Sequence, residues 1–139
     1  MKAKSGFTLV EILIVVVILG ILAAIVIPQF TDASTEAKTS SLCADIQTMR
    51  SQIELYKIQH TDSLPPTGTF AAFETAMTTK GADGRGPYMQ KIPTNPFNNF
   101  NTIRFEIGVG TAGAGTHGWV LNTDSGAFQA DDSAEHAAL

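Results

Sequence analysis

The chain has 139 residues, enough for one small domain, and its 9 Lys and Arg against 13 Asp and Glu give a formal net charge of −4. This acidic balance argues against nucleic-acid binding, which needs clustered Lys and Arg. A single cysteine, Cys43, excludes an intrachain disulfide, so packing alone must hold the domain. We expect Cys43 to be buried as a small apolar side chain.

A nearly unbroken apolar run opens the chain. It extends from Phe7 to Ile27 with Glu11 as its only charged residue, and Pro28 follows it. About 20 helical residues rise about 30 Å, which matches the hydrocarbon thickness of a bilayer. Lys2 and Lys4 precede the run, and positive charges on that side predict a cytoplasmic N-terminus. The rest of the chain is therefore expected outside the membrane.

Glu11 is the energetically costly residue of this run. Insertion scales assign about 2.5–3.5 kcal/mol to Asp, Lys or Arg at the centre of a bilayer, and Glu is expected to cost a similar amount. A simple membrane anchor gains nothing from such an acid, and a Glu side chain is short for reaching the interface. The position of Glu11 therefore raises the question of which group it pairs with.

The start of the chain resembles the N-terminal motif of type IV pilins and type II secretion pseudopilins. The resemblance is carried by Lys4-Ser5-Gly6-Phe7-Thr8-Leu9-Val10-Glu11, by the apolar stretch and by Pro28. It implies that a prepilin peptidase cuts between Gly6 and Phe7 and that the new amine of Phe7 is methylated. It also implies that Glu11 meets the Phe7 ammonium of a neighbouring subunit in a helical filament.

Gly20 and Pro28 bracket a weak stretch of this helix, because proline removes a backbone donor and clashes with the preceding turn. The resemblance implies that the stretch bends or unwinds in the filament, and a fixed kink is the alternative. The domain organisation predicted from the motif is a cleaved leader over residues 1–6, a membrane and filament-core helix over 7–30, and a periplasmic globular domain over 31–139.

The residues after Pro28 change to an amphipathic pattern. Apolar side chains recur at steps of three and four at Leu42, Ile46, Met49, Ile53 and Tyr56. This spacing predicts one helix from about Thr8 to about Gln59 whose second half packs on a sheet. A second helix is predicted over Thr69 to Lys80, with Thr69 capping its start and Gly81 its end.

The last third of the chain is predicted to be β-structure. Residues 103–107 alternate as a half-buried strand, and 118–121 and 126–130 form a hairpin, whereas the tail from Asp131 to Leu139 is expected to fray. The predicted fold class is α+β, with the long N-terminal helix packed on a small C-terminal antiparallel β-sheet, as in pilins. The proline-braced segment 88–97 resembles the segment that joins helix to sheet in major type II pseudopilins.

Few residues of the globular part suggest chemistry. Residues 108–113 satisfy G-x-G-x-x-G, but a glycine-rich loop and a strand follow where a dinucleotide site requires a helix. The three histidines are far apart in sequence and are expected to be solitary solvated side chains. Major type II pseudopilins carry a calcium site near the C-terminus, which implies a site near Asp124, Asp131 and Asp132. The longer loop of that family is missing here, so a solvated turn followed by an acidic tail is the alternative.

The resemblance implies a structural subunit of a type II secretion pseudopilus, not an enzyme, in the bacterial inner membrane. Its expected partners are other copies of itself, the prepilin peptidase, an inner-membrane assembly platform and minor pseudopilins. One alternative is a major pilin of a type IV pilus that serves adhesion, motility or DNA uptake. A more distant alternative is a membrane-anchored monomer that binds a ligand.

Overall fold

The computed structural model describes residues 6–108 and 113–139, so the predictions for Lys2, Lys4 and residues 109–112 lie outside the described residues. The chain divides into two compact units, Met1–Ala37 and Lys38–Leu139. Helix α1, Leu9–Gln59, runs through both units. The helix predicted from about Thr8 to about Gln59 is confirmed.

In the first unit, every described residue of α1 is exposed. Pro28 lies inside the helix, although its ring nitrogen cannot donate to the carbonyl one turn back. The hydroxyl of Thr31 donates to the carbonyl oxygen of Ile27 at 3.1 Å. This part of α1 therefore presents its apolar side chains without any cover from the described chain.

In the second unit, α1 buries one face, as its periodicity predicts. Leu42, Ile46, Met49 and Ile53 are buried and Tyr56 is partly buried. The helix ends at Gln59, before Thr61 and Asp62 adopt left-handed backbone conformations with φ of 57° and 63°. Cys43 is half-buried, less than expected, because it lies beside this face and not on it.

Helix α2, Phe70–Thr78, is shorter than predicted at its C-terminal end. The hydroxyl of Thr69 accepts a hydrogen bond from the backbone N–H of Ala72 at 3.2 Å, which confirms the predicted cap. Phe73 and Met77 are fully buried, so the predicted apolar face is also correct. The C-cap is Thr79 in an extended conformation and not Gly81.

The three described strands form one sheet in the order β1-β2-β3, where β1 is Ile103–Glu106, β2 is Trp119–Asn122 and β3 is Phe128–Ala130. The hairpin of β2 and β3 is antiparallel as predicted, with Trp119 opposite Ala130. Strand β1 pairs with β2 in parallel, with Ile103 beside Trp119. The sheet is therefore mixed, and the expectation of a wholly antiparallel sheet is wrong, although the α+β class is confirmed.

The length of the connection between β1 and β2 permits the parallel pairing. Two antiparallel neighbours need only a tight turn, whereas parallel neighbours need a connection of about a dozen residues. The chain between Glu106 and Trp119 is of that length. Strand β2 begins beside the first residue of β1, and the backbone N–H groups of Gly118 and Trp119 both donate to the Thr102 carbonyl at 3.1 Å.

The hydrophobic core of the second unit lies between α1, α2 and the sheet. Its buried members are Leu42, Ile46, Met49, Ile53, Phe73, Met77, Ile92, Ile103, Trp119, Leu121, Phe128 and Ala130.

The C-terminal tail packs on this unit instead of fraying. It forms helix α3, Ala134–Ala137, with Ser133 as its N-cap, and Ala137 is buried. The expectation of a frayed tail is wrong because its polar groups find partners in the domain.

Candidate functional site: the amino-terminal segment and the C-terminal carboxylates

Helix α1 begins with a reciprocal pair of hydrogen bonds between Thr8 and Glu11. The backbone N–H and the hydroxyl of Thr8 donate to Oε2 of Glu11 at 2.7 and 2.8 Å. The backbone N–H of Glu11 donates to the hydroxyl of Thr8 at 3.2 Å. This is the capping box of a helix N-terminus, in which a Thr and a Glu three residues apart satisfy two otherwise unpaired backbone donors.

Phe7 lies just before this box and is 80% exposed. The apolar residues that follow, up to Ile27, are exposed as well. Within the described part of the chain, α1 is the one helix long and apolar enough to cross a membrane. An uncovered apolar helix of this length is stable in lipid or packed against other apolar helices, since water solvates its side chains poorly.

The glycines of this segment are not required by the fold of the subunit. A Cβ atom added at Gly6 or Gly20 would meet no other atom within 4 Å. Any need for a small residue at Gly6 must therefore come from a partner that handles this segment. Gly20 lowers helix propensity by about 1 kcal/mol relative to alanine, and Pro28 interrupts the backbone hydrogen bonds of the same helix.

The three carboxylates expected near a calcium ion do not meet at one point. Asp124 lies in the turn before β3 and accepts a hydrogen bond from the backbone N–H of Gly108 at 2.8 Å. Asp131 directly follows β3, at the opposite end of that strand. It is fully buried and forms an ion pair with Arg104, whose Nη2 lies 2.6 Å from Oδ1.

Asp132 is also engaged by donors of the chain. Its Oδ1 accepts from the side-chain amide of Asn95 at 2.8 Å, and its Oδ2 contacts Nδ1 of His136. No group of three His, Cys, Asp or Glu side chains suited to a metal ion occurs in residues 6–108 and 113–139. Calcium binding near Asp124, Asp131 and Asp132 stays a prediction. The three carboxylates do not fit one calcium ion, because Asp124 lies at the opposite end of β3 from the other two and the oxygens of Asp131 and Asp132 already face nitrogen atoms.

A half-open groove of about 840 Å³ lies beside the C-terminal end of α1. The ring of His60 stacks on Tyr56 with centroids 3.9 Å apart, and its Nε2 lies 3.4 Å from Asp83. The Tyr88 hydroxyl donates to the side chain of Gln59 at 2.9 Å. The expectation of solitary solvated histidines is therefore wrong for His60, because aromatic stacking holds its ring.

The ionisable groups of this groove are set by local contacts. A hydrogen bond from the backbone N–H of Arg85 lowers the pKa of the Asp83 carboxyl. Desolvation raises the pKa of the Tyr88 hydroxyl. His60, Asp83 and Tyr88 are each bonded to neighbours in the chain. His136 is likewise not solitary, because it contacts Asp132 and packs on Phe97 with centroids 4.0 Å apart.

Two contacts of these segments were not predicted from the sequence. Thr8 was not singled out, although the spacing Thr8-x-x-Glu11 is the sequence signature of a capping box. The pairing of Arg104 with Asp131 joins residues that are far apart in the chain, and no local sequence pattern predicts it.

The fold and this N-terminal segment define a class of protein. A membrane-length helix that continues into a small α+β domain is the architecture of pilin-like subunits, and residues 1–27 match the prokaryotic N-terminal methylation motif. No solved structure matches the chain.

Curated relatives define the family within this class. The chain is 35% identical over 105 residues to type II secretion system core protein G of Pseudomonas aeruginosa, covering 70% of this chain and 71% of the relative. It is 33% identical to type II secretion system core protein G of Vibrio cholerae over 105 residues, 71% of this chain and 69% of the relative. A fimbrial protein of P. aeruginosa is 43% identical over 54 residues, 39% of this chain and 35% of the relative. The chain belongs to the family of type II secretion system core protein G, the pseudopilins, and is anchored in the inner membrane through its N-terminal helix.

Proposed function

We propose that this chain is the structural subunit of a type II secretion pseudopilus that drives protein export. In this role a prepilin peptidase removes residues 1–6 and the amine of Phe7 is methylated. Residues 7–30 then hold the subunit in the membrane until assembly and form the filament core, and residues 31–139 form the periplasmic domain. The uncovered apolar helix is the observation that carries the proposal, because membrane and filament are the two environments that can cover it.

Glu11 is the residue that selects the register of assembly. In the single subunit its carboxylate is held by Thr8, so the capping box keeps it satisfied while the subunit waits in the membrane. In the filament the Phe7 ammonium of a neighbouring copy provides the opposite charge. Leaving one member of a buried ion pair without its partner typically costs about 3–5 kcal/mol. A subunit docked out of register is disfavoured by that amount.

The free space at Gly6 supports the processing site, and the position of Pro28 inside α1 supports the flexible stretch. The fold tolerates a side chain at Gly6, so the glycine serves the peptidase that cuts before Phe7. Gly20 and Pro28 weaken the helix between them, and this stretch bends or unwinds when the subunit leaves the membrane for the filament. Lys2 and Lys4 keep the N-terminus in the cytoplasm before cleavage.

The role is structural and not enzymatic. In the groove beside α1, Tyr88 is bonded to Gln59 and His60 to Asp83, and a helical filament needs only the repeated contact between copies. The partners are further copies of this chain, the prepilin peptidase, the inner-membrane assembly platform and minor pseudopilins. The acidic charge argues against nucleic acid as a partner.

A type IV pilus subunit is the second candidate function. The identity to a fimbrial protein favours it, but that match covers 35% of the relative. The similarity to core protein G covers 71% of the P. aeruginosa relative. Secretion is therefore the preferred function of the two.

Substitutions at Glu11 and Thr8 separate the charge of Glu11 from its capping role. Glu11→Gln keeps a side chain that can complete the capping box but removes the charge. Thr8→Val removes the capping hydroxyl and keeps the charge. We expect Glu11→Gln to insert into the membrane yet lose filaments as fully as Glu11→Leu, whereas Thr8→Val retains most of its filament yield. The measurements are membrane fractionation, yield of sheared filaments, and mass spectrometry of the N-terminus.

Two outcomes would contradict the proposal. Filaments of Glu11→Gln at the wild-type yield would show that no ion pair forms at this position. A wild-type protein that keeps its Met1 terminus and stays monomeric in detergent would exclude processing and assembly altogether.

A further inference from the structure

The side chain of Arg104 on β1 forms an ion pair with Asp131, the first residue after β3. Its Nε and Nη2 donate to the two carboxylate oxygens of Asp131 at 3.2 and 2.6 Å, the paired geometry that a guanidinium makes with a carboxylate. Asp131 is fully buried, whereas the side chain of Arg104 is 19% exposed. Nη1 of Arg104 also contacts Glu106, which keeps the guanidinium between two acids.

The loop before β2 donates to the same aspartate. The backbone N–H of Ala114 donates to Oδ1 of Asp131 at 3.1 Å, and that of Gly115 donates to the Asp131 carbonyl at 2.5 Å. Gly113 has a φ of +85°, and a Cβ atom at this position would overlap the backbone of Ser133 and Ala134. Loop 113–115 and segment 131–134 are therefore packed backbone against backbone.

The carboxylates of Asp131 and Asp132 are already engaged by donors of the chain. Both oxygens of Asp131 and both oxygens of Asp132 face nitrogen atoms of the chain. Calcium takes six to eight oxygen ligands. A calcium ion bound to Asp131 would also lie beside the guanidinium of Arg104 and be repelled by it.

We infer that Arg104 is the built-in counter-charge of the C-terminal segment, so that this subunit folds without the calcium ion implied by its family. The guanidinium neutralises Asp131 and links β1 to the chain after β3. Asp132 is held separately by Asn95 and His136. The inference rests on the fold of residues 38–139 and not on the proposed function, so a failure of secretion or assembly leaves it intact.

The test uses the full chain in detergent and the fluorescence of Trp119. This residue is the only tryptophan, it is fully buried, and its indole N–H donates to the Pro93 carbonyl at 2.8 Å, so it reports unfolding of the domain. We expect the denaturant midpoint of the wild type to be the same in EGTA and in millimolar calcium. We expect Arg104→Gln to lower the folding equilibrium constant about 100-fold or more, because it leaves Asp131 buried without its partner.

Two further variants complete the test. Arg104→Lys keeps the charge but not the paired hydrogen bonds, and should fall between the wild type and Arg104→Gln. Lys91→Gln removes the same charge from an exposed position and should leave the midpoint unchanged. A wild-type midpoint raised by calcium would overturn the inference, even if no variant folds. An Arg104→Gln midpoint equal to that of Lys91→Gln would overturn it as well.

Discussion

Gly118 illustrates how closely the chain packs at the level of single residues. It is buried directly before β2, and its carbonyl accepts from the side-chain amide of Asn95 at 3.0 Å and from the backbone N–H of Asp131 at 3.1 Å. A Cβ atom added at this glycine would overlap the carbonyl oxygen of Phe100. The position therefore needs glycine for space, since three segments of backbone converge on it.

Gly118→Ala tests this packing. The added methyl group must displace the backbone of Phe100, and overpacking of this kind typically costs about 1–3 kcal/mol. We expect a lower midpoint of denaturation, read from Trp119 fluorescence. The matched control is Gly68→Ala, because a Cβ atom there meets nothing within 4 Å. Equal midpoints for the two variants would refute the assigned role of Gly118.

At the level of elements, α1 combines two surfaces in one helix. Its first part is apolar on all sides and exposed, whereas its second part buries one face formed by Leu42, Ile46, Met49 and Ile53. A helix that is apolar all round belongs in lipid or in a packed core, and an amphipathic one belongs on a domain surface. The change between the two patterns follows Pro28, the proline inside the helix.

Pro28→Ala tests whether Pro28 destabilises α1 locally. Alanine restores the missing backbone donor, and a proline inside a helix costs about 3 kcal/mol. We expect slower amide hydrogen exchange in the turn before residue 28, measured on the full chain in detergent. We also expect a lower filament yield if the stretch bends or unwinds during assembly. Gln29→Ala is the control, because it leaves the backbone hydrogen bonds intact. Unchanged exchange in Pro28→Ala would count against a flexible stretch.

At the level of the whole molecule, the subunit combines an uncovered apolar helix with an acidic domain of modest size. The domain buries its core by packing alone, with one half-buried cysteine and no second cysteine to pair with it. Lipid covers the apolar helix before assembly, and neighbouring copies cover it in the proposed filament.

Deletion of the gene in its native bacterium distinguishes the two candidate functions. We expect exported proteins to accumulate in the periplasm while surface pili persist, because a pseudopilus serves secretion. The readouts are the protein content of the medium and electron microscopy of the cell surface. Wild-type complementation should restore export and Glu11→Gln should not. Loss of pili with export intact would favour the fimbrial alternative.

Much of this fold could be predicted from local patterns. The spacing of Leu42, Ile46, Met49 and Ile53 predicted the buried face of α1, and Thr69 predicted the start of α2. The hairpin of β2 and β3 was predictable because a short turn allows only antiparallel neighbours. Each of these features depends on residues that are close together in the chain.

The C-terminal carboxylates could not be placed in the same way. The sequence predicts either solvated acids or calcium ligands at Asp131 and Asp132, and it predicts a tail that frays. In the structure Asp131 is fully buried directly after β3, and its partner Arg104 lies on β1. A pairing between distant residues has no periodicity, so no window of sequence can reveal it.

The sequence by itself determined the membrane-length helix, the acid within it and the methylation motif, because hydropathy and motifs are properties of contiguous residues. Only the tertiary structure decided that β1 runs parallel to β2 and that Arg104 neutralises Asp131. A long connection permits either strand direction, and a charge can choose among several partners until packing brings one of them into contact.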